Sequence, residues 1–175
     1  MISIVLTGPE STGKSVLTQQ LAKHFNGFAV KEYAREYVEG LDRSYTFDDI
    51  EVIARHQVEE YSFFNEATGP KDLVFFDTFL IITKVWFEEV FGCCPIWLDK
   101  AIRDLKINLA LICFPDLVWV ADGVRENPDR RQYLYQRYLK DLEIYGIPYR
   151  IIKGNGDRRT INAVNYVNVL LNHDR

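Results

Sequence analysis

The chain has 175 residues, of which 47% are hydrophobic and 14% aromatic, with a formal net charge of −4. This predicts one domain, 1–175, with a sizeable core. The negative charge argues against a nucleic-acid partner, which would need a basic excess. No apolar run resembles a signal peptide or reaches membrane-spanning length, so a membrane partner is not expected. The composition leaves the oligomeric state open.

Cys93, Cys94 and Cys113 are odd in number, and two of them are sequence neighbours. This pattern argues against a disulfide framework and against a four-ligand zinc site. We interpret them as reduced thiols of a cytoplasmic protein.

The strongest motif is GPESTGKS, which fits G-x-x-x-x-G-K-[ST] and follows an apolar run, 2–6, that predicts a buried strand. Its glycines let backbone N–H groups close around phosphate oxygens, Lys14 can reach the β and γ phosphates, and the Ser15 hydroxyl can bind Mg²⁺. The alternative is a glycine turn that binds nothing. The residues predicted to bind the nucleotide phosphates here are Gly8, Pro9, Glu10, Ser11, Thr12, Gly13, Lys14, Ser15 and Val16.

Strands and helices alternate after this loop, which is typical of a parallel sheet covered on both faces. We therefore predict an α/β, three-layer P-loop NTPase or kinase fold with a five-stranded parallel sheet and an arginine-bearing lid. The predicted strands are 2–6, 28–31, 73–77, 117–121 and 149–152. The predicted helices begin at about Gly13 and cover 46–67, 78–91, a segment capped by Asp99 that runs through Ala101, Leu105 and Leu109, 129–145 and 161–171.

Charged residues follow two of the predicted strands, where ligands gather in open α/β sheets. Glu32 and Arg35 follow the second strand and are candidates for substrate binding; a solvated ion pair is the alternative. Asp77 ends the apolar run LVFFD, as the magnesium-binding acidic strand of P-loop proteins does. We expect Asp77 and Ser15 to hold Mg²⁺, directly or through water.

The predicted fourth strand leads to Asp122 and then to Arg125, Arg130 and Arg131. Guanidinium groups in a mobile cover could bind the migrating γ-phosphate, so we predict a lid at about 123–131. A solvated basic helix end is the alternative. Asp122 is a third candidate, after Glu32 and Asp77, for contacting the substrate hydroxyl.

The remaining candidates carry weaker signals. Trp86 is the candidate for lining a pocket that binds a flat ring, although packing in the core or on the surface is favoured for it. Core or surface packing is favoured for Trp97, and hydrogen bonding or partial burial for the lone His56. The glycine-rich segment from Gly154 to Arg158 could face the adenine or could be a plain turn.

Taken together, GPESTGKS, KEYAREY, FFDTFLIITKVWFEEVFG and PDLVWVADGVREN occur in an order that resembles the nicotinamide riboside kinase domain of NadR-type NAD salvage proteins. The resemblance spans nearly the whole chain. It implies a P-loop kinase that uses ATP and Mg²⁺ to phosphorylate the 5′-hydroxyl of nicotinamide riboside, giving nicotinamide mononucleotide. Since the chain begins at the first kinase strand, we do not expect adenylylation or repression from it, unless it was cut from a longer protein.

The resemblance to small nucleoside kinases also favours Glu32 as the carboxylate that orients the attacking hydroxyl. Lys14, Asp77 and one of Arg125, Arg130 and Arg131 complete the predicted catalytic set. Two alternatives stay open: a kinase for another nucleoside or small alcohol, and a nucleotide-dependent switch or regulatory ATPase.

Overall fold

The computed structural model describes residues 1–120 and 128–173. Within these ranges, five strands form one parallel sheet in the order β2-β3-β1-β4-β5, with seven α-helices around it. The strands are β1 (Ile2–Thr7), β2 (Phe28–Val30), β3 (Leu73–Asp77), β4 (Leu109–Cys113) and β5 (Tyr149–Ile152). The helices are α1 (Lys14–Phe25), α2 (Tyr33–Glu39), α3 (Phe47–Ala67), α4 (Leu80–Phe91), α5 (Ile96–Asp104), α6 (Arg131–Ile144) and α7 (Gly156–His173).

The two faces of the sheet carry separate hydrophobic cores, which confirms the predicted three-layer architecture. Helices α3, α4, α5 and α6 pack on one face, around buried residues such as Ile50, Phe87 and Leu142. Helices α1 and α7 pack on the other face, around Leu21 and Val167. Burying each such side chain contributes about 1.5–3 kcal/mol to the stability of the folded state. The two cores therefore hold the helices against the sheet, and this determines which loops meet at its carboxyl edge.

Helix α3 begins where the sequence predicts, because Thr46 and Asp49 form a capping box. The Asp49 backbone N–H donates to Thr46 Oγ1 at 3.4 Å, and the Thr46 N–H donates to Asp49 Oδ2 at 2.7 Å. Arg43 donates to the same carboxylate, and this ion pair together with Thr46 holds the pKa of Asp49 well below its usual range.

The predicted fourth strand, 117–121, is wrong. The strand beside β1 is β4, whose five residues are all buried and pair with β1 and β5. The sequence analysis assigned Leu109 to a helix, but α5 ends at Asp104. Val118 and Val120 are 86% and 59% exposed, since β4 already fills the place next to β1. Residue 121 lies outside the described residues.

Smaller corrections concern helix ends. Pro95 is the N-cap residue of α5, whereas Asp99 lies in its first turn. Helix α6 begins at Arg131, after a 3₁₀ turn at Pro128–Arg130. Helix α7 already begins at Gly156, so Arg158 lies in a helix rather than in a loop. Helix α2 has no counterpart in the sequence analysis.

Candidate nucleotide-binding site

The loop between β1 and α1 requires glycine at both ends of the motif. Gly8 has φ 131°, and a Cβ placed there would lie 2.6 Å from the backbone oxygen of Cys113. Gly13 has φ 75°, and its Cβ would lie 3.3 Å from Leu117 Cδ1. Both values of φ fall in a region that side-chain-bearing residues rarely adopt. The loop therefore passes directly beneath the segment that follows β4.

The loop is held in shape by its own side chains. Thr12 Oγ1 donates to the Pro9 carbonyl at 2.7 Å, and Lys14 Nζ donates to the same oxygen at 3.0 Å. Helix α1 has no side-chain cap on Gly13 and no acidic residue in its first turn. Its first N–H groups and its positive dipole end are thus left for an anion, as at phosphate-binding helix N-termini.

Asp77 lies at the end of β3, paired in register with Leu6 of β1. Its side chain is 5% exposed, and Oδ1 has no hydrogen-bond partner among the described residues. Burial raises the pKa of Asp77, a hydrogen bond with Ser15 opposes that rise, and the Glu32 charge adds to it. The carboxylate predicted to bind magnesium thus lies beside the predicted hydroxyl ligand.

Glu32 is the N-cap residue of α2, just beyond β2, and it forms an ion pair with Arg35 at 3.5 Å. The positive charges of Lys14 and Arg35 both lower the pKa of Asp77, but this effect is smaller than the rise caused by burial. The structure therefore brings Lys14, Glu32, Arg35 and Asp77 to one region of the carboxyl edge. The ion pair between Glu32 and Arg35, which is the alternative interpretation, is present, and their contact with substrate stays a prediction.

Thr78, which follows Asp77, is a candidate site residue that the sequence analysis did not single out. Its φ of 64° lies in the left-handed region, which is an outlier for a β-branched residue. Its side chain is 4% exposed, and Oγ1 has no hydrogen-bond partner among the described residues. Asp77 and Thr78 lie within FFDTFLIITKVWFEEVFG, one of the stretches that carry the resemblance, and this was the sequence signal that could have drawn attention to Thr78. Its positive φ could not be predicted from the sequence.

The structure separates two of the predicted arginines. Arg130 donates to Glu89 of α4, which also accepts from Tyr133 and Arg137. Arg131 donates to the Leu117 carbonyl at 2.9 Å and to the Ser11 carbonyl at 3.3 Å. Arg131 therefore lies at the phosphate loop, whereas Arg130 lies against α4.

Arg125 and Asp122 lie outside the described residues, as does most of the predicted lid, 123–131. The segment 114–120 before it lies across the phosphate loop. Ser11 Oγ donates to the Val120 carbonyl at 3.2 Å and accepts from the Val120 N–H at 3.1 Å.

The weaker candidates are placed as follows. Trp86 is partly buried and meets Tyr45 edge-on, with ring centroids 4.8 Å apart. Trp97 is partly buried against the core, and its Nε1 donates to Glu51 at 3.0 Å between α5 and α3. The His56 ring stacks on Tyr33 at 3.6 Å.

A buried arginine that the sequence analysis did not single out lies next to the predicted adenine segment. Arg159 is 5% exposed and donates to Asp116 Oδ1 and to the Gly154 carbonyl, each at 2.7 Å. Its exposed neighbour Arg158 was preferred because it lies within the glycine-rich stretch. A pair separated by 43 residues leaves no local signal.

The site suits Mg²⁺. Within the described ranges no group of three or more His, Cys, Asp or Glu side chains is arranged to hold a metal ion. Mg²⁺ at phosphate sites needs only one or two protein ligands, since water and phosphate oxygens supply the rest. A buried carboxylate oxygen without a partner, beside a serine hydroxyl, matches that requirement.

A glycine loop between a central parallel strand and a helix N-terminus, with a buried aspartate ending the next strand, defines a P-loop nucleotide-binding protein. The family model described as "AAA domain" matches residues 3–159, and the chain belongs to that family. None of the helices within the described ranges is long and apolar enough to span a bilayer.

The chain is also similar to NadR proteins, which confirms the resemblance. The trifunctional NAD biosynthesis/regulator protein NadR of Escherichia coli (strain K12) is 26% identical over 182 residues, which cover 99% of this chain and 43% of that protein. The chain thus spans less than half the length of this curated relative.

Two solved structures are similar as well. A crystal structure of NadR protein in complex with NR is 27% identical, with a TM-score of 0.77, covering 95% of this chain and 50% of that one. Thymidylate kinase from Ehrlichia chaffeensis has a TM-score of 0.72 at 12% identity, covering 95% of this chain and 98% of that one, and supports the fold alone.

Proposed function

We propose that this chain is a P-loop kinase domain, 1–175, that transfers the γ-phosphoryl group of ATP to the 5′-hydroxyl of nicotinamide riboside, giving nicotinamide mononucleotide for NAD salvage. The observation that carries the proposal is the meeting of the phosphate loop with the buried, unpartnered Asp77 Oδ1 at one edge of the sheet. The similar NadR structure bound to NR supports nicotinamide riboside as the acceptor.

In this proposal the phosphate loop binds the donor. Loop N–H groups and Lys14 hold the β and γ phosphates, which requires the Lys14 ammonium to exchange the Pro9 carbonyl for phosphate oxygens. Ser15 and Asp77 would hold Mg²⁺, which when bound neutralises negative charge on the phosphates. Such preorganised charges stabilise the transition state more than the ground state.

Glu32 orients the attacking hydroxyl in this scheme. Its carboxylate lies on the same side of the phosphate loop as Asp77, and its charge acts on that residue. An alcohol has a pKa far above neutral and phosphoryl transfer passes through a loose transition state, so orientation contributes more than proton removal. Arg35 fixes the Glu32 carboxylate by the 3.5 Å ion pair and contacts the substrate from the same side.

Arg131 is the arginine best placed to act on the phosphates, because it already contacts the phosphate loop through Ser11. Arg125 stays a second candidate, and Arg130 requires release from Glu89 before it can approach. Asp122, Trp86, Gly154 and Arg158 stay predicted contacts for the acceptor and the adenine.

The test is a product assay with ATP and Mg²⁺ across nicotinamide riboside, uridine, cytidine and shikimate. We expect phosphorylation of nicotinamide riboside at the highest kcat/KM. Preference for another acceptor would favour a different nucleoside or small-alcohol kinase. Slow ATP hydrolysis that no acceptor stimulates, but a protein partner does, would favour a switch ATPase.

A further inference from the structure

The buried residue Arg159 forms the centre of a hydrogen-bond network that we name the clasp, which consists of Arg159, Asp116, the Gly154 backbone and the Phe114 carbonyl. Arg159 Nη1 donates to Asp116 and Gly154 as described above, and Nη2 donates to the Phe114 carbonyl at 3.1 Å. Asp116 Oδ2 in turn accepts from the Gly154 N–H at 2.7 Å. A buried guanidinium that contacts three acceptors at normal distances fixes their relative positions.

The clasp joins two loops that are far apart in sequence. Phe114 and Asp116 follow β4, whereas Gly154 follows β5. Gly154 has φ 92°, so its backbone adopts a shape that few other residues tolerate, and both its N–H and its carbonyl are bound by the clasp. The conformation of the predicted adenine segment is therefore set through Arg159 and Asp116.

The segment 114–120 also connects the clasp to the phosphate loop. One end is bound by Arg159 at the Phe114 carbonyl and at Asp116. The other end contacts the phosphate loop through Val120, which bonds with Ser11 in both directions. If the clasp shifts, the distance between the phosphate loop and the Gly154 loop therefore changes.

The strand order indicates which part of a nucleotide this distance controls. The phosphate loop follows the central strand β1, and the carboxylates Glu32 and Asp77 follow β2 and β3 on one side of it. A γ-phosphate facing those carboxylates points the nucleoside of ATP toward the other side, where the loops after β4 and β5 lie.

We propose that Arg159 is a positioning residue for the nucleoside part of the donor, acting through Asp116 and Gly154 without touching the nucleotide. The proposal rests on the proposed function in that it takes ATP as the ligand of the phosphate loop. Lysine cannot replace this arginine, because its single ammonium lacks the planar fork that reaches several acceptors at once. Arg159 therefore governs affinity for adenosine and leaves affinity for the triphosphate unchanged.

The experiment compares binding of the ATP analogue AMP-PNP with binding of inorganic tripolyphosphate, both with Mg²⁺, by calorimetry. Arg159→Lys is expected to weaken AMP-PNP binding about tenfold, which corresponds to the loss of one hydrogen bond to a charged group, and to change tripolyphosphate binding less than twofold. Arg150→Ala, which removes an exposed arginine of β5, is the matched control and is expected to change neither. In turnover, the Arg159→Lys effect is expected in the KM for ATP rather than in kcat.

Asp116→Asn provides a second route, because it keeps Arg159 and removes only the carboxylate charge. We expect the same selective loss of AMP-PNP affinity, and a double variant that loses less than the sum of the single variants. These two conservative variants carry the test even where Arg159→Ala does not fold. The binding measurements use no acceptor, so they succeed or fail independently of the nicotinamide riboside assignment.

Equal weakening of AMP-PNP and tripolyphosphate by Arg159→Lys would overturn the proposal, because it would mean a general loss of structure. Unchanged AMP-PNP binding in both conservative variants would overturn it as well. So would a wild-type protein that binds AMP-PNP no more tightly than tripolyphosphate.

Discussion

The two sides of the phosphate loop are built differently. On the β2–β3 side, Asp77 and Thr78 each keep a buried oxygen without a partner among the described residues. On the β4–β5 side, Arg159 and Asp116 bind each other and the backbone, although Arg159 Nε is also buried without a partner among the described residues. An unpartnered buried polar group costs about 1–3 kcal/mol, so the two oxygens of the first side keep the capacity to bind a ligand at the expense of stability. This difference supports the proposal that the β2–β3 side carries the chemistry and that the β4–β5 side positions the donor.

Lys14 lies between the two sides, and its replacement is expected to have the largest effect. Lys14→Ala removes the charge that contacts the β and γ phosphates, and we expect a loss of about 10³-fold in kcat/KM. Steady-state kinetics with ATP and nicotinamide riboside measures this. Lys23→Ala, an exposed lysine near the end of the same helix, is the control and is expected to be silent. A Lys14→Ala enzyme with normal turnover would refute the scheme.

Asp77→Asn is expected to lower kcat by about 10²-fold and to weaken the dependence on Mg²⁺, because the amide is a poorer metal ligand than the carboxylate. A Mg²⁺ titration of the rate measures both effects. Asp104→Asn, on the exposed surface of α5, is the matched control. A Mg²⁺ dependence identical to that of the wild type would show that Asp77 does not take part in metal binding.

The same variant is expected to gain stability without ligand. Burial raises the pKa of Asp77, so ionisation at neutral pH destabilises the folded state, and Asn removes that cost. The gain in stability is complete at pH values above the pKa of Asp77 in the folded state. It disappears as the pH falls to the pKa of an aspartate in the unfolded chain, about 3.9. Each kcal/mol of gain corresponds to about 2–4 °C in Tm, which thermal unfolding at several pH values measures. An Asp77→Asn protein less stable at pH 7 than the wild type would contradict this reading.

Glu32→Ala is expected to cost less, on the order of tenfold in kcat, because the carboxylate orients a hydroxyl in a loose transition state. The KM for ATP is expected to stay within twofold of the wild-type value. A change in kcat without a change in this KM would show that the β2–β3 side acts on catalysis and not on binding of the donor. Glu39→Ala, which removes the other carboxylate near Arg35, is the control. A larger loss than that of Lys14→Ala would indicate that proton removal limits the rate.

Trp86→Leu is expected to have the smallest effect, about a threefold rise in the KM for nicotinamide riboside with kcat unchanged, because a stacking contact with a flat ring is lost. Trp97→Leu, which changes another partly buried tryptophan that packs between α5 and α3, is the matched control. If both variants change the KM for nicotinamide riboside equally, Trp86 does not contact the acceptor. The acceptor pocket on the β2–β3 side would then lie closer to Asp77 and would not reach Trp86.

Local signals predicted most of the sheet. The motif and the apolar runs located β1, β2, β3 and β5. The parallel direction of the strands follows from their alternation with helices. Strand β4 was missed because LALIC, buried throughout, has no two-residue alternation, and Leu105 and Leu109 have helical spacing. The apolar run 117–121, which leads to Asp122, was chosen instead.

The positions of the candidate site residues were predictable where they depend on local sequence and not elsewhere. The places of the phosphate loop and of the strand-end carboxylates in the fold follow from the motif and from the strand ends. The clasp depends on contacts between residues 38 and 43 positions apart, which no pattern encodes. The positive φ of Thr78 is likewise imposed by the surrounding fold, and the different environments of Arg130 and Arg131 depend on how α6 packs.

Cys113 lies under the first glycine of the phosphate loop, and this gives the protein an internal probe. Burial raises the pKa of the Cys113 thiol, whereas Cys93 is exposed. Thiolates rather than thiols react with alkylating reagents, so Cys93 is labelled first and Cys113 only when the core around it opens. The rate of Cys113 alkylation in a Cys93→Ser, Cys94→Ser background therefore reports how often the structure opens next to the phosphate loop, and any slowing by a bound nucleotide can be measured without following turnover.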